Sequence, residues 1–95
     1  MTEFIQILRF ETDDYDAVAK LDEQYRADTK GRSTYTGEVL GRDLDTGEYV
    51  VIVTFPSKEA ADVNDALPET AKLAAEMGAL TKNGIAFSNI EALPG

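Results

Sequence analysis

Glu48 to Phe55 reads Glu-Tyr-Val-Val-Ile-Val-Thr-Phe, and Pro56-Ser57 closes it. β-Branched and aromatic residues dominate the stretch, and both side-chain parities are apolar. That is the pattern of a strand covered on two faces, so it belongs inside a sheet. Its neighbours supply the sheet. Ser33 to Arg42 is rich in Thr and Tyr and is broken by Gly37 and Gly41, which reads as a second strand. Asp43-Leu-Asp-Thr-Gly47 is a turn segment, so the two strands form a hairpin. Phe4 to Phe10 is a further strand, with Phe4, Leu8 and Phe10 on one face and Ile5 and Ile7 on the other. Asn83-Gly84 reads as a stop, and Ile85 to Leu93 as a last strand.

Helical periodicity fills the gaps. Acidic residues over Thr12 to Asp16 suit a helix start, and Tyr15, Val18, Leu21 and Tyr25 recur on one side. Asp14, Lys20, Glu23 and Asp28 lie opposite, and Gly31 is the expected C-terminal cap. Ser57 is an N-cap candidate for a helix over Lys58 to Leu67. Pro68 interrupts and suits a first helical position, so a second piece runs from Pro68 to about Lys82. Thr70, Leu73, Ala74, Met77 and Leu80 form its apolar stripe.

The fold class expected is therefore α+β, a ferredoxin-like β-α-β-β-α-β unit in one domain over residues 1–95. Its four-stranded antiparallel sheet carries two helices on one face. The other face stays open although Ile5, Ile7, Val50 and Ile52 point to it. An open apolar sheet face marks association, which predicts a homodimer with two sheets face to face.

Composition limits the chemistry. The chain has 95 residues, a formal charge of −9, no His and no Cys. The acidic balance argues against nucleic acid as a partner. No apolar run is long enough to span a bilayer, and no basic segment precedes an apolar one at the N-terminus, so no membrane partner and a cytoplasmic location are expected. Disulfides, thiolate nucleophiles, imidazole bases and His/Cys metal sites are excluded. Asp43-x-Asp45-x-Gly47 has the look of a calcium loop but lacks the other oxygen ligands such a loop needs. Asp13, Asp14 and Asp16 do not converge on one point and read as helix-start acids.

Strand three ending in an aromatic, then Ser57-Lys-Glu-Ala-Ala61, then Asn64-Asp-Ala-Leu-Pro68, resembles the dimeric α/β-barrel superfamily, in its antibiotic-biosynthesis-monooxygenase-like branch. Arg9-Phe10 and Arg42-Asp43 fit the same branch. The resemblance spans nearly the whole chain as a pattern of order and spacing. It implies a dimeric α/β barrel with a pocket between sheet and helices. It also implies that Gln6, Leu8, Phe10, Phe55 and Asn64 line that pocket. Activities in the family include cofactor-free oxygenation of aromatic polyketides and quinols, and haem degradation. Where many members carry His, this chain has Asn64 and Glu69. The strand-one Asn and the Trp of haem-degrading members correspond to Leu8 and Phe55, so haem degradation is not expected.

The candidate site follows. Gln6 is the polar member of an apolar strand face, and a buried amide needs hydrogen-bond partners. Gln6 and Asn64 are the candidate catalytic residues. Leu8, Phe10, Tyr35, Tyr49, Phe55 and Met77 are the candidate substrate-binding residues, with the two phenols serving as hydrogen-bond donors at neutral pH. Arg9 is expected to pair with a carboxylate across the dimer. The function expected is oxygenation of a small aromatic or quinoid molecule without metal, flavin or other cofactor. The alternative is a non-catalytic ligand-binding or regulatory module on the same dimer.

Overall fold

Apolar pairing across antiparallel strands builds the sheet. In the computed structural model, which describes residues 2–95, the elements run β1 (Phe4–Glu11), α1 (Tyr15–Asp28), β2 (Gly37–Arg42), β3 (Tyr49–Phe55), α2 (Lys58–Asp65), α3 (Pro68–Leu80) and β4 (Lys82–Glu91). The strand order is β2-β3-β1-β4, with every neighbouring pair antiparallel. This is the ferredoxin-like arrangement, its second helix divided at Pro68 into α2 and α3.

Register assigns the faces. Phe4, Gln6, Leu8 and Phe10 oppose Phe55, Val53, Val51 and Tyr49. Side chains from this face meet the helices: Phe10, Val18, Val51 and Met77 form the buried core, with Leu8, Leu21, Leu40, Val53, Leu73 and Ile85 packed around it. The other face carries the cross-strand rows Val39–Ile52–Ile7 and Thr54–Ile5–Ile90, and no helix among the described residues covers it.

Local chemistry sets the helix ends. Asp14 caps α1 by accepting the Ala17 N–H, and Ser57 caps α2 by accepting the Ala60 N–H. Ser57→Ala should cost about 1 kcal/mol of stability, read as a lower urea midpoint at an unchanged slope. An unchanged midpoint would show that the cap contributes nothing. At Pro68 the missing N–H falls at the start of α3, where no helical bond is lost.

The ends of α2, α3 and β4 fall at Asp65, Leu80 and Glu91 rather than at Leu67, about Lys82 and Leu93, and three further boundaries differ from expectation. The α1 cap is Thr29, and the positive φ of 86° at Gly31 comes two residues later, in the following turn. The hairpin's first strand starts at Gly37 rather than Ser33. The reason is that Thr34 bonds α2 instead of β3: its N–H donates to Asn64 Oδ1 at 3.3 Å and its hydroxyl donates to the Ala60 carbonyl. Asn83 and Gly84, expected as a stop, lie inside β4 with φ of 57° and 79°, beside a register shift between Arg9 and Glu11. They form a bulge.

No helix among the described residues is long and apolar enough to cross a membrane.

Candidate functional site

The candidate site is a cleft left open by unequal packing. Helix α3 leans chiefly on α1 and only lightly on β4. Its side facing β1 and β4 carries the small residues Thr70, Ala71 and Ala74. Small side chains leave space there, and a half-open cavity of about 320 Å³ results. Leu8, Met77, Ile85 and Phe87 make its apolar walls, and Gln6 and Asp65 close one end. A second lobe of about 300 Å³ continues past them, lined by Phe4, Lys58, Asp62 and Asn89. Gln6, Asp65 and Phe87 belong to both lobes. Each volume lies at the small end of the range for ligand pockets. A crevice between α1 and α3 holds only about 50 Å³.

The end of the cleft near α2 is polar. Gln6 Nε2 donates to Asn89 Oδ1 over 3.4 Å, a long and weak bond across paired strands. Lys58 Nζ donates to Asp62 Oδ2 at 3.2 Å, one helical turn on. Burial and the negative charge of Asp62 raise the pKa of Asp65 above the ordinary carboxylate value, while Lys58 draws it back. An apolar slot ending in amides and a carboxylate suits a flat, mostly apolar ring system with a polar edge.

Of the predicted site residues, Gln6, Leu8 and Met77 line this cleft. Asn64 lies beside it, 5% exposed and fully engaged. Its Oδ1 accepts the Thr34 N–H, and its Nδ2 donates to the Tyr25 hydroxyl at 3.0 Å. Thr70 Oγ1 donates to the Asn64 carbonyl at 2.7 Å, so the Tyr25 hydroxyl, 2.8 Å away, is left to donate to Thr70 Oγ1. Asn64 therefore reaches the cleft only through Tyr25 and Thr70. Phe55 and Phe10 are core residues, Phe55 tilted against Phe4 at 6.3 Å. Tyr49 stacks on Tyr15 at 4.7 Å and lies under Arg42, at the end of the sheet that pairs with Phe10. Tyr35 precedes β2 at the opposite end of the hairpin. Burial and Glu38 raise the pKa of its phenol.

Two charged residues take intramolecular partners. Arg9 pairs with Asp43 of its own chain at 3.0 Å, with its side chain still 41% exposed. Asp43 also accepts the N–H groups of Asp45 and Thr46, so its loop is a hairpin turn. The Asp45 N–H, then Arg9, then the Thr46 N–H hold its carboxyl below the usual pKa. Glu69 is held by the Arg32 guanidinium, which contacts both carboxylate oxygens. Among the described residues no group of three or more His, Cys, Asp or Glu side chains is placed to hold a metal ion.

The sequence reading missed Asp65, Phe87 and Asn89. Alternation along β4 would have placed Ile85, Phe87 and Asn89 on one face, which is the available signal.

The sequence matches no protein-family model and no curated protein. Solved structures do match it. One described as an antibiotic biosynthesis monooxygenase is 20% identical, with a TM-score of 0.72, over 99% of this chain and 100% of that one. SnoaB, a cofactor-independent oxygenase from Streptomyces nogalater, is 18% identical with a TM-score of 0.80, over 100% of this chain and 97% of its own. The fold is shared with these proteins. A dimeric ferredoxin-like protein of unknown function from Jannaschia sp. CCS1 is 17% identical with a TM-score of 0.80, over 95% of this chain and 99% of its own.

Proposed function

We propose that this protein is a cofactor-independent oxygenase of a small aromatic or quinol-type molecule, acting as a homodimer. The observation that carries the reading is the half-open apolar cleft ending at the Gln6 amide. It lies on a fold shared with SnoaB, a cofactor-independent oxygenase.

The substrate supplies the electrons in such a reaction. For an anthrone, one O2 is consumed for each methylene converted to a carbonyl. One oxygen atom enters the product, and the other leaves as water with the two methylene hydrogens. The protein has to bind the ring, orient it and stabilise the enolate that reacts with O2. Leu8, Met77, Ile85 and Phe87 hold the ring in the apolar lobe. Gln6 Nε2, weakly occupied by Asn89, turns to donate to the enolate oxygen. Asn64 acts as a positioning residue, since its amide fixes Tyr25 and through it the Thr70 hydroxyl on the cleft wall. Subunits associate through the open sheet face, whose apolar rows no helix covers. A neighbour described as dimeric has the same fold.

Oxygen-electrode measurements across a panel of anthrones and quinols test the reading. The expected result is uptake matched to product. Loss of one donor in Gln6→Ala should lower kcat/KM about tenfold. Asn64→Ala should lower it as well, by loosening Thr70. No uptake across the panel by folded protein rejects catalysis, and equal turnover by both variants and the parent rejects the roles given to Gln6 and Asn64. Tight binding of panel members without uptake would establish the non-catalytic module instead.

A further inference from the structure

We propose that the cleft selects its ligand by charge: Asp65 accepts a hydrogen bond from a neutral hydroxy- or amino-aromatic and repels the carboxylated or sulfonated form of the same ring. The inference rests on the cleft being the ligand site and goes on to name which chemistry enters it.

Three observations carry it. The cleft has one apolar lobe and one polar end, so an amphipathic ring has a single favourable orientation, with its polar edge toward α2. That end holds two carboxylates, Asp62 and Asp65, against one ammonium. The ammonium is already used, since Lys58 Nζ contacts both carboxylate oxygens of Asp62, at 3.2 and 3.4 Å. Asp65 is left as the free charge, and it belongs to both lobes. An incoming anion would meet that charge at the open end of the cleft, where Asp65 is exposed and the repulsion is that of two unit charges near water. A phenol or aromatic amine meets an acceptor instead, and a hydrogen bond to a charged acceptor is stronger than one to a neutral group. Gln6 and Asn89 supply neutral amides on the sheet side and do not offset the carboxylate.

The experiment compares two fluorescent probes with one ring system, at low ionic strength so that screening is weak. N-Phenyl-1-naphthylamine is neutral with a single N–H, and 1-anilinonaphthalene-8-sulfonate adds one sulfonate. The neutral probe should bind the parent protein at least about fivefold more tightly, the effect of one unit charge a few ångströms away. Asp65→Asn should close most of that gap, chiefly by tightening the sulfonate and to a smaller extent by weakening the neutral probe, whose acceptor is then uncharged. Glu23→Gln removes the same charge from the exposed face of α1 and should leave the gap intact. Ala74→Phe, which fills the apolar lobe, should abolish binding of the neutral probe. Equal affinities in the parent protein, or a gap closed equally by Glu23→Gln, would overturn charge selection while leaving the cleft as a binding site. A neutral probe that fails to bind, or that ignores Ala74→Phe, would overturn the cleft reading itself and charge selection with it.

Discussion

Glu38→Gln is expected to stabilise the protein by roughly 1–3 kcal/mol at pH 8 and by almost nothing at pH 4. Glu38 lies on the helix side of edge strand β2, paired with Val53, and its side chain is mostly buried. Arg26 stands between Glu38 and a second buried carboxylate, with its Nε 3.7 Å from Glu38 Oε1 and 3.2 Å from Asp22 Oδ2. The approach to Asp22 is close without being aligned, so Asp22 Oδ2 is buried with no hydrogen-bond donor aimed at it. Tyr35 completes the surroundings from the loop ahead of β2. Burial, then a hydrogen bond to Asp22 and its repulsion, push the Glu38 carboxyl from 4.5 up to about 8, and Arg26 only partly opposes this. A protonated Glu38 supplies the donor that Asp22 lacks. The native state thus holds a proton between about pH 4.5 and 8 that the unfolded chain has released. Stability from this group is complete below 4.5 and is lost as pH rises through 8. The shift alone would set a ceiling of about 5 kcal/mol, and a half-exposed Arg26 with nearby solvent lowers it to the range given. Gln keeps a donor for Asp22 and carries no charge, so it removes the loss. Denaturant unfolding of both proteins at pH 4, 6 and 8 checks this. A stability difference that does not grow with pH would refute the shared proton.

The same cluster shows where sequence stops being legible. Asp22 sits beside Leu21 in a helical pattern, and nothing local marks it as buried. Its burial depends on Glu38, a residue of another element brought opposite by the sheet. The sheet itself was legible because two-sided apolar strands such as Glu48–Phe55 and Phe4–Phe10 carry their register in their alternation. The break at Pro68 was legible because proline has no amide hydrogen to give. The cleft was legible on its strand side at Gln6 and Leu8, and on its helix side only at Met77. On the helix side, Asn64 and Asp65 are adjacent and about 100° apart around the axis. Which of them meets the ligand depends on the rotation of α2, and that is set by Tyr25 and Thr34 reaching Asn64 from elsewhere in the fold. Thr70, Ala71 and Ala74 matter by being small, and an empty volume has no signature in sequence until the opposite wall, Phe87, is known.

Ile52→Asp is expected to convert the proposed dimer to monomers at micromolar concentration. Ile52 is in the middle of the open face, between Val39 on β2 and Ile7 on β1. Val39 is 59% exposed and Ile90 37%, so the face is apolar to its edges. Two such faces meeting about a two-fold axis bury each residue twice, once per subunit. The substitution therefore places two unpaired carboxylates in one dry interface. Each costs several kcal/mol to desolvate, so the dissociation constant should rise by about a thousandfold or more. The subunit fold should survive, because Ile52 points away from Phe10, Val51 and Met77. Val39→Lys, on the edge strand, is the second variant should Asp in a central strand prevent folding, and it should weaken the dimer in the same direction. Sedimentation velocity reads the mass, and circular dichroism reads the retained helices. A monomeric parent protein, or a folded Ile52→Asp protein that stays dimeric, would remove the open face as the interface. The cleft lies on the opposite side of the sheet, lined by Gln6, Leu8 and Phe87. Monomers should accordingly keep their affinity for the neutral naphthylamine, which separates what the two faces of one sheet do.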